Sequence, residues 1–166
     1  MGGDTAVEIV TGRQDAASVE RLLRLLPDWF GIEESVEQYV RDAESKPTYL
    51  AVDRAGDVLG ALLLTRHNPQ SAEIHLLAVD PAHHRRGVGA ALVRQVEADL
   101  VVEGVEVLEV KTQGPSEPNE SYATTLKFYQ ALGFIPLEEI YGLWPTLPCL
   151  ILVSILKSAR VRVPAV

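Results

Sequence analysis

Val79-Asp80-Pro81-Ala82-His83-His84-Arg85-Arg86-Gly87-Val88-Gly89-Ala90-Ala91-Leu92 is the stretch from which the chain is best read. An apolar strand ends at Val79, a turn with two histidines and two arginines follows, and a helix opens with glycines in its first turn. The free N–H groups of a helix start, together with the positive end of its dipole, form an anion site. Gly87 and Gly89 remove side chains that would hold a phosphate away from the amides of Val88, Gly89 and Ala90. Arg85 and Arg86 add charge-assisted bonds, and His84 can donate as well. The chain carries a net charge of −8, so a local basic cluster of this kind calls for an anionic partner. Neither Gly-x-x-x-x-Gly-Lys-Ser/Thr nor Gly-x-Gly-x-x-Gly occurs, which sets aside a P-loop and a dinucleotide fingerprint. The competing structural reading is that the two glycines serve close helix packing and the arginines are solvated.

Working outward, residues 72–79 read as a strand whose alternation sets Glu73, His75, Leu77 and Val79 on one face. The helix that follows, 87–102, repeats Val88, Leu92, Val96 and Leu100 on one side. Upstream, residues 6–10 predict a short strand. Asp15 caps a helix carrying Val19, Leu22, Leu23 and Leu26, and a second helix fits Glu33–Ala43. Strands at Thr48–Val52 and 58–65 are joined by the turn Asp53-Arg54-Ala55-Gly56-Asp57. Downstream come a strand at 105–111, a helix at 120–132 stopped by Gly133, and strands at 137–141 and 150–156. The order β-α-α-β-β-β-α-β-α-β-β describes an α/β fold, a mixed sheet of about seven strands with about four helices on its two faces.

A chain of 166 residues, 47% hydrophobic and 23% charged, fits one globular domain, expected over residues 1–159 with a tail at 160–166. The acidic balance disfavours nucleic acid as a partner, because phosphate repels such a surface. The single cysteine, Cys149, lies in an apolar run and reads as a buried strand thiol, and no Cys/His cluster has zinc spacing, so no metal is expected. The N-terminus lacks a basic and apolar leader, and Ala6 stands where a myristoylation signal needs Ser or Thr. The longest apolar stretch, 147–156, is broken by Pro148 and is too short to span a bilayer. A cytoplasmic protein with no membrane partner is the expectation.

The turn resembles the pyrophosphate-binding motif of the GNAT acetyltransferases, Gln/Arg-x-x-Gly-x-Gly/Ala, between the fourth strand and third helix, with Gly87 and Gly89 matching and His84 at the Gln/Arg position. The similarity covers roughly residues 5–157. It implies the GNAT fold, acetyl-CoA as co-substrate, and a pantetheine arm paired with the end of the fourth strand at Leu77, Ala78 and Val79. It further implies N-acetyl transfer to an amine. A protonated amine cannot attack a thioester, so the acceptor must lose a proton and the departing thiolate gains from receiving one. Glu73 resembles in position the general-base glutamate of the family's histone acetyltransferases, and His75 on the same strand is a second candidate base. Phe128-Tyr129-Gln130-Ala131-Leu132-Gly133-Phe134 is similar to the family's Phe/Leu-Tyr-x-x-x-Gly-Phe helix, whose tyrosine acts as general acid on the CoA sulfur; this implicates Tyr129. The family's Asn seven residues earlier is replaced by Tyr122.

The resemblance also implies an acceptor pocket shaped by the first two helices and the last loops. Trp29, Phe30 and Trp144, with nearby carboxylates such as Glu33 and with Glu73 and His75, could hold a cationic acceptor through ring faces and charge; a homodimer contact or core edge is the other reading. Acceptors on small molecules and on peptides are both compatible. The competing function is a catalytically idle CoA-binding sensor on the same fold.

Overall fold

Caps and apolar periods fix the helix starts. Asp15 accepts the amide of Ser18 at 3.0 Å and opens α1 (Ala16–Arg24), while Asn119 accepts that of Tyr122 at 3.2 Å and opens α4 (Glu120–Ala131). The computed structural model describes residues 6–156; the tail expected at 160–166 lies outside them. The remaining elements are β1 (Glu8–Thr11), α2 (Glu33–Ala43), β2 (Thr48–Val52), β3 (Val58–Asn68), β4 (Ser71–Val79), α3 (Val88–Val102), β5 (Val107–Gln113), β6 (Ile135–Ile140) and β7 (Cys149–Ile155). A 3₁₀ turn, Pro81–His83, separates β4 from α3. The α/β reading and its element order are thus observed. Among the described residues no helix is long and apolar enough to cross a membrane.

The seven strands form one sheet in the order β1-β2-β3-β4-β5-β7-β6, antiparallel except for β4 against β5. One apolar cluster joins the sheet to α3 and α4, and a second joins the opposite face to α1 and α2. Leu92 and Leu100 in the first cluster and Leu22 and Leu23 in the second have no exposed surface, and each such side chain contributes about 1.5–3 kcal/mol by leaving water. Cys149 is buried in β7, as expected for a strand thiol.

Two departures from a regular ladder shape the centre of this sheet. The first is a bulge. Leu63 pairs with Leu76 and Leu64 with Ile74, so His75 is an extra residue in β4. Strict alternation put Glu73, His75, Leu77 and Val79 on one face, and this is corrected by the bulge. Leu76 and Ala78 belong to the α1/α2 cluster, whereas Ile74, Leu77 and Val79 pack on the α3/α4 side. His75 meets α2, so it stands on the face opposite Leu77 and Val79.

The second departure is a splay. Parallel pairing of β4 with β5 runs only from Ser71↔Val107 to Ile74↔Val110. Beyond it, among the described residues, β5 continues to Gln113 against β7 alone and β4 from 75 to 79 keeps only β3 as a neighbour. The inner edge of β4 therefore carries backbone donors and acceptors without a strand partner, directly before the basic turn.

Candidate functional site

The basic turn is built by local bonds. Asp80 donates its amide to the Leu59 carbonyl at 2.9 Å and accepts the Ala82 amide at 2.9 Å, anchoring the 3₁₀ turn to β3. His84 donates through Nε2 to the Val79 carbonyl at 2.8 Å, tying the end of the turn back to the end of β4. Arg85 adopts φ 59° and Gly87 φ 80°, two left-handed residues within three positions. Such a conformation is costly for most side chains. Gly87 caps α3 without a side-chain bond, and the first helical bond is Ala91 to Gly87 at 2.9 Å. The amides of Val88, Gly89 and Ala90 precede that bond and are free to face an anion. Arg85 and Arg86 are exposed beside them.

Gly87 and Gly89 divide the work that the sequence assigned to both. Gly87 supplies the left-handed conformation. A Cβ on Gly89 would lie 3.1 Å and 3.3 Å from the Phe128 ring, so its missing side chain admits α4 against the first turn of α3. The close-packing reading holds for Gly89. The Val88 side chain is buried in the α3/α4 cluster, which leaves only its backbone for a ligand.

Tyr129 sits one residue beyond Phe128 and is buried, its ring 5.0 Å from Phe128 and 5.2 Å from Phe134. It shares its cluster with Ile74 and Val110, the pair at which β4 and β5 part. Burial pushes its phenol well above the ordinary tyrosine range, so it stays protonated at neutral pH.

On the other face, two strand residues are held very differently. Glu73 accepts from Lys111 at 2.9 Å and pairs with His67 at 2.6 Å through the same oxygen, and Lys111 also bonds Glu109. The ammonium of Lys111 is stabilised there: burial opposes its charge, but the bonds to Glu109 and Glu73 outweigh burial and raise its pKa. His67, Glu73 and Glu109 bring one ligand atom each within 4.8 Å of the others, the kind of grouping that can hold a cation, but Lys111 already supplies the positive charge. His75, by contrast, donates through Nε2 to Asp42 Oδ2 at 2.7 Å and takes the edge of the Tyr39 ring at 5.3 Å. Its ring is partly exposed, at 27%.

The predicted acceptor aromatics diverge. Phe30 packs on Tyr39 at 5.8 Å and so joins the His75 group. Trp29 turns toward the basic turn, 6.0 Å from His84, and donates its indole N–H to Thr125 at 3.0 Å. Its carbonyl accepts from Tyr122 at 3.0 Å, so the α1–α2 connection is fastened to α4. Trp144 lies half-buried between β6 and β7, with no ring contact to these residues among those described. Glu33 is closed off by Arg24, bonded to both its oxygens at 2.8 Å and 3.0 Å.

Sequence reading missed Tyr39, Asp42 and Lys111. Tyr39 and Asp42 are three apart on α2, beside the face that buries Val36 and Ala43, and that spacing is the one signal available. Burial raises the Tyr39 pKa first, then the charges of Tyr122, Asp42 and Glu73 add to it, so α2, α4 and β4 converge on one space.

Residues 18–134 match the model of the acetyltransferase (GNAT) family. The N-alpha-acetyltransferase RimI of Mycobacterium tuberculosis is 32% identical over 98 residues, covering 57% of this chain and 56% of that protein. The chain spans 36%, 59% and 56% of the lengths of three curated relatives that it matches. A GNAT-family acetyltransferase from Desulfovibrio desulfuricans superposes with a TM-score of 0.79 at 20% identity, over 92% of this chain and 100% of that one. Another from Elizabethkingia anophelis, solved with acetyl-CoA bound, superposes with a TM-score of 0.70 at 19% identity, over 90% and 98% of the two chains. At such identities the likeness is one of fold.

Proposed function

The chain belongs to the GNAT acetyltransferase family, and from that premise we propose that it transfers an acetyl group from acetyl-CoA to a primary amine of a small molecule or peptide. The observation that carries this reading is the junction of the splay with the basic turn. An open β4 edge at 75–79 leads straight to unpaired amides at the start of α3. That arrangement fits a long ligand with a peptide-like arm and a pyrophosphate. Leu77, Ala78 and Val79 would hold the arm through backbone groups. His84, Arg85, Arg86, Gly87 and the amides of Val88, Gly89 and Ala90 would hold the phosphates.

Acetyl-CoA supplies the activated thioester; the chain supplies acid and base. His75 is the base in this reading, because it stands at the bulge where the splay begins and has an orienting carboxylate. It takes a proton from the acceptor ammonium, which frees the nitrogen lone pair to attack the carbonyl carbon. Glu73, engaged by Lys111 and His67, contributes negative charge that favours a cationic acceptor. Tyr129, protonated and close to the point of parting, gives its proton to the sulfur as the carbon–sulfur bond breaks. The alpha-amine of a peptide is the first acceptor class to try, given the name of the Mycobacterium tuberculosis relative.

The test is thiol release from acetyl-CoA across a panel of amines and peptides, with the acetylated product identified by mass spectrometry. CoA binding without acetylation of any member would count against an enzyme and for a sensor. Gly87→Asp is the matched control for the cofactor site. Asp tolerates a left-handed φ better than most residues, so the fold should persist while its carboxylate blocks the amides and repels phosphate. Calorimetry should show CoA binding lost; unchanged affinity would remove the cofactor assignment.

A further inference from the structure

We propose that Asp42 is a positioning residue for acetyl transfer, holding the His75 imidazole in the tautomer whose basic nitrogen is Nδ1. The inference rests on the reading of His75 as the base. As the extra residue of a bulge, His75 lacks a ladder partner opposite it, so side-chain contacts must orient its ring. A carboxylate can only accept, so the 2.7 Å contact with Asp42 Oδ2 makes Nε2 the protonated nitrogen. Nδ1 makes no hydrogen bond among the described residues and keeps its lone pair. The edge of the Tyr39 ring, itself packed on Phe30, restricts rotation from the side.

Asp42 is in turn held by its own helix. Gln38 donates its amide N–H to Asp42 Oδ1 at 3.0 Å, and Arg41 donates to the Gln38 carbonyl oxygen at 3.0 Å. Arg41 thereby fixes which end of the Gln38 amide meets Asp42. Donors therefore converge on Asp42 from both sides, Arg41 through Gln38 on Oδ1 and His75 on Oδ2. Glu37, the other carboxylate beside Arg41, lies 3.8 Å away and pairs with that arginine instead. An exposed ion pair alone would contribute little to stability, so the value of this arrangement lies in orientation.

That convergence gives a sharp test. In Asp42→Asn, the side-chain oxygen still accepts from Gln38, which leaves the amide NH₂ facing His75. Nε2 must then accept, the proton moves to Nδ1, and the base is lost without loss of shape. Nitrogen-15 NMR of the free protein, recorded well above the ordinary imidazole range, should show the unprotonated signature pass from Nδ1 to Nε2. Turnover should fall on the order of 10²–10⁴-fold, with the KM for acetyl-CoA and the melting temperature near wild type. Gln38→Glu added to Asp42→Asn reverses the direction. The carboxylate introduced at position 38 accepts from the amide introduced at position 42, whose oxygen is then free to accept from His75, and part of the rate should return. An unchanged tautomer in Asp42→Asn, or an unchanged kcat, overturns the positioning role. A fully active His75→Gln overturns instead the base assignment beneath it, whatever the NMR shows.

Discussion

Tyr129 poses the residue-scale question of whether one side chain serves both as core and as the general acid proposed above. It is almost wholly buried, at 4% exposure, between two phenylalanine rings, as a packing residue would be. Yet its cluster includes Ile74 and Val110, where the sheet opens. Burial explains the proton as well as the packing, because a phenol removed from water resists ionisation and remains able to donate. Tyr129→Phe separates the two roles, since it keeps the ring and deletes only the hydroxyl. Turnover should fall on the order of 10²–10⁴-fold with CoA affinity nearly unchanged. A Phe variant with wild-type turnover would leave Tyr129 to the core. Cys149 offers a contrast: burial raises its thiol above the ordinary range, which disfavours the thiolate.

Elements explain why some of this was legible beforehand and some was not. α2 matches its expected bounds because its apolar residues recur at helical spacing, and Asp15 caps α1 as its side chain suggests. β3 runs to Asn68 rather than Thr65. Its last residues are polar, and the Asn68 side chain closes the hairpin by accepting from Gln70 and Ser71 at 2.9 Å and 3.0 Å. The bulge at His75 left no trace in the sequence. A sheet covered by helices on both faces takes apolar residues on both, so alternation carries little information about which side is which. The glycines of the basic turn were legible as a pattern but not as separate roles, because only the fold brings Phe128 against Gly89. Gly89→Val should therefore act as an overpacking change in the α3–α4 contact, costing about 1–3 kcal/mol in denaturant unfolding. Partial recovery is expected when Phe128→Leu is added; a Gly89→Val protein of full stability would refute the packing assignment.

At the scale of the whole molecule, protonation joins these local environments to folding. Four of the five tyrosines, Tyr39, Tyr49, Tyr122 and Tyr129, have phenols raised chiefly by burial, and Tyr49 is raised further by Asp99, whose carboxylate it meets at 3.1 Å. Burial likewise raises Cys149. Lys111 is raised too, by its carboxylate partners acting against burial. The sign is the same for all six groups. Each holds its proton in the folded state at a pH where the unfolded chain releases it, so stability falls as pH rises. The tyrosine contribution is complete below the ordinary phenol pKa of about 10 and is lost as pH climbs from there toward the folded values. These groups lie in both apolar clusters and across α2, β2, α4, β5 and β7, so ionising them is expected to unfold the sheet as a unit. Phenolate absorbance followed beside far-ultraviolet circular dichroism, with pH raised through and beyond about 10, tests this. The absorbance of the four tyrosines should appear in one cooperative step together with loss of helix and sheet. If their phenolates formed near the ordinary pKa while the dichroism stayed native, the burial assigned to them would be wrong.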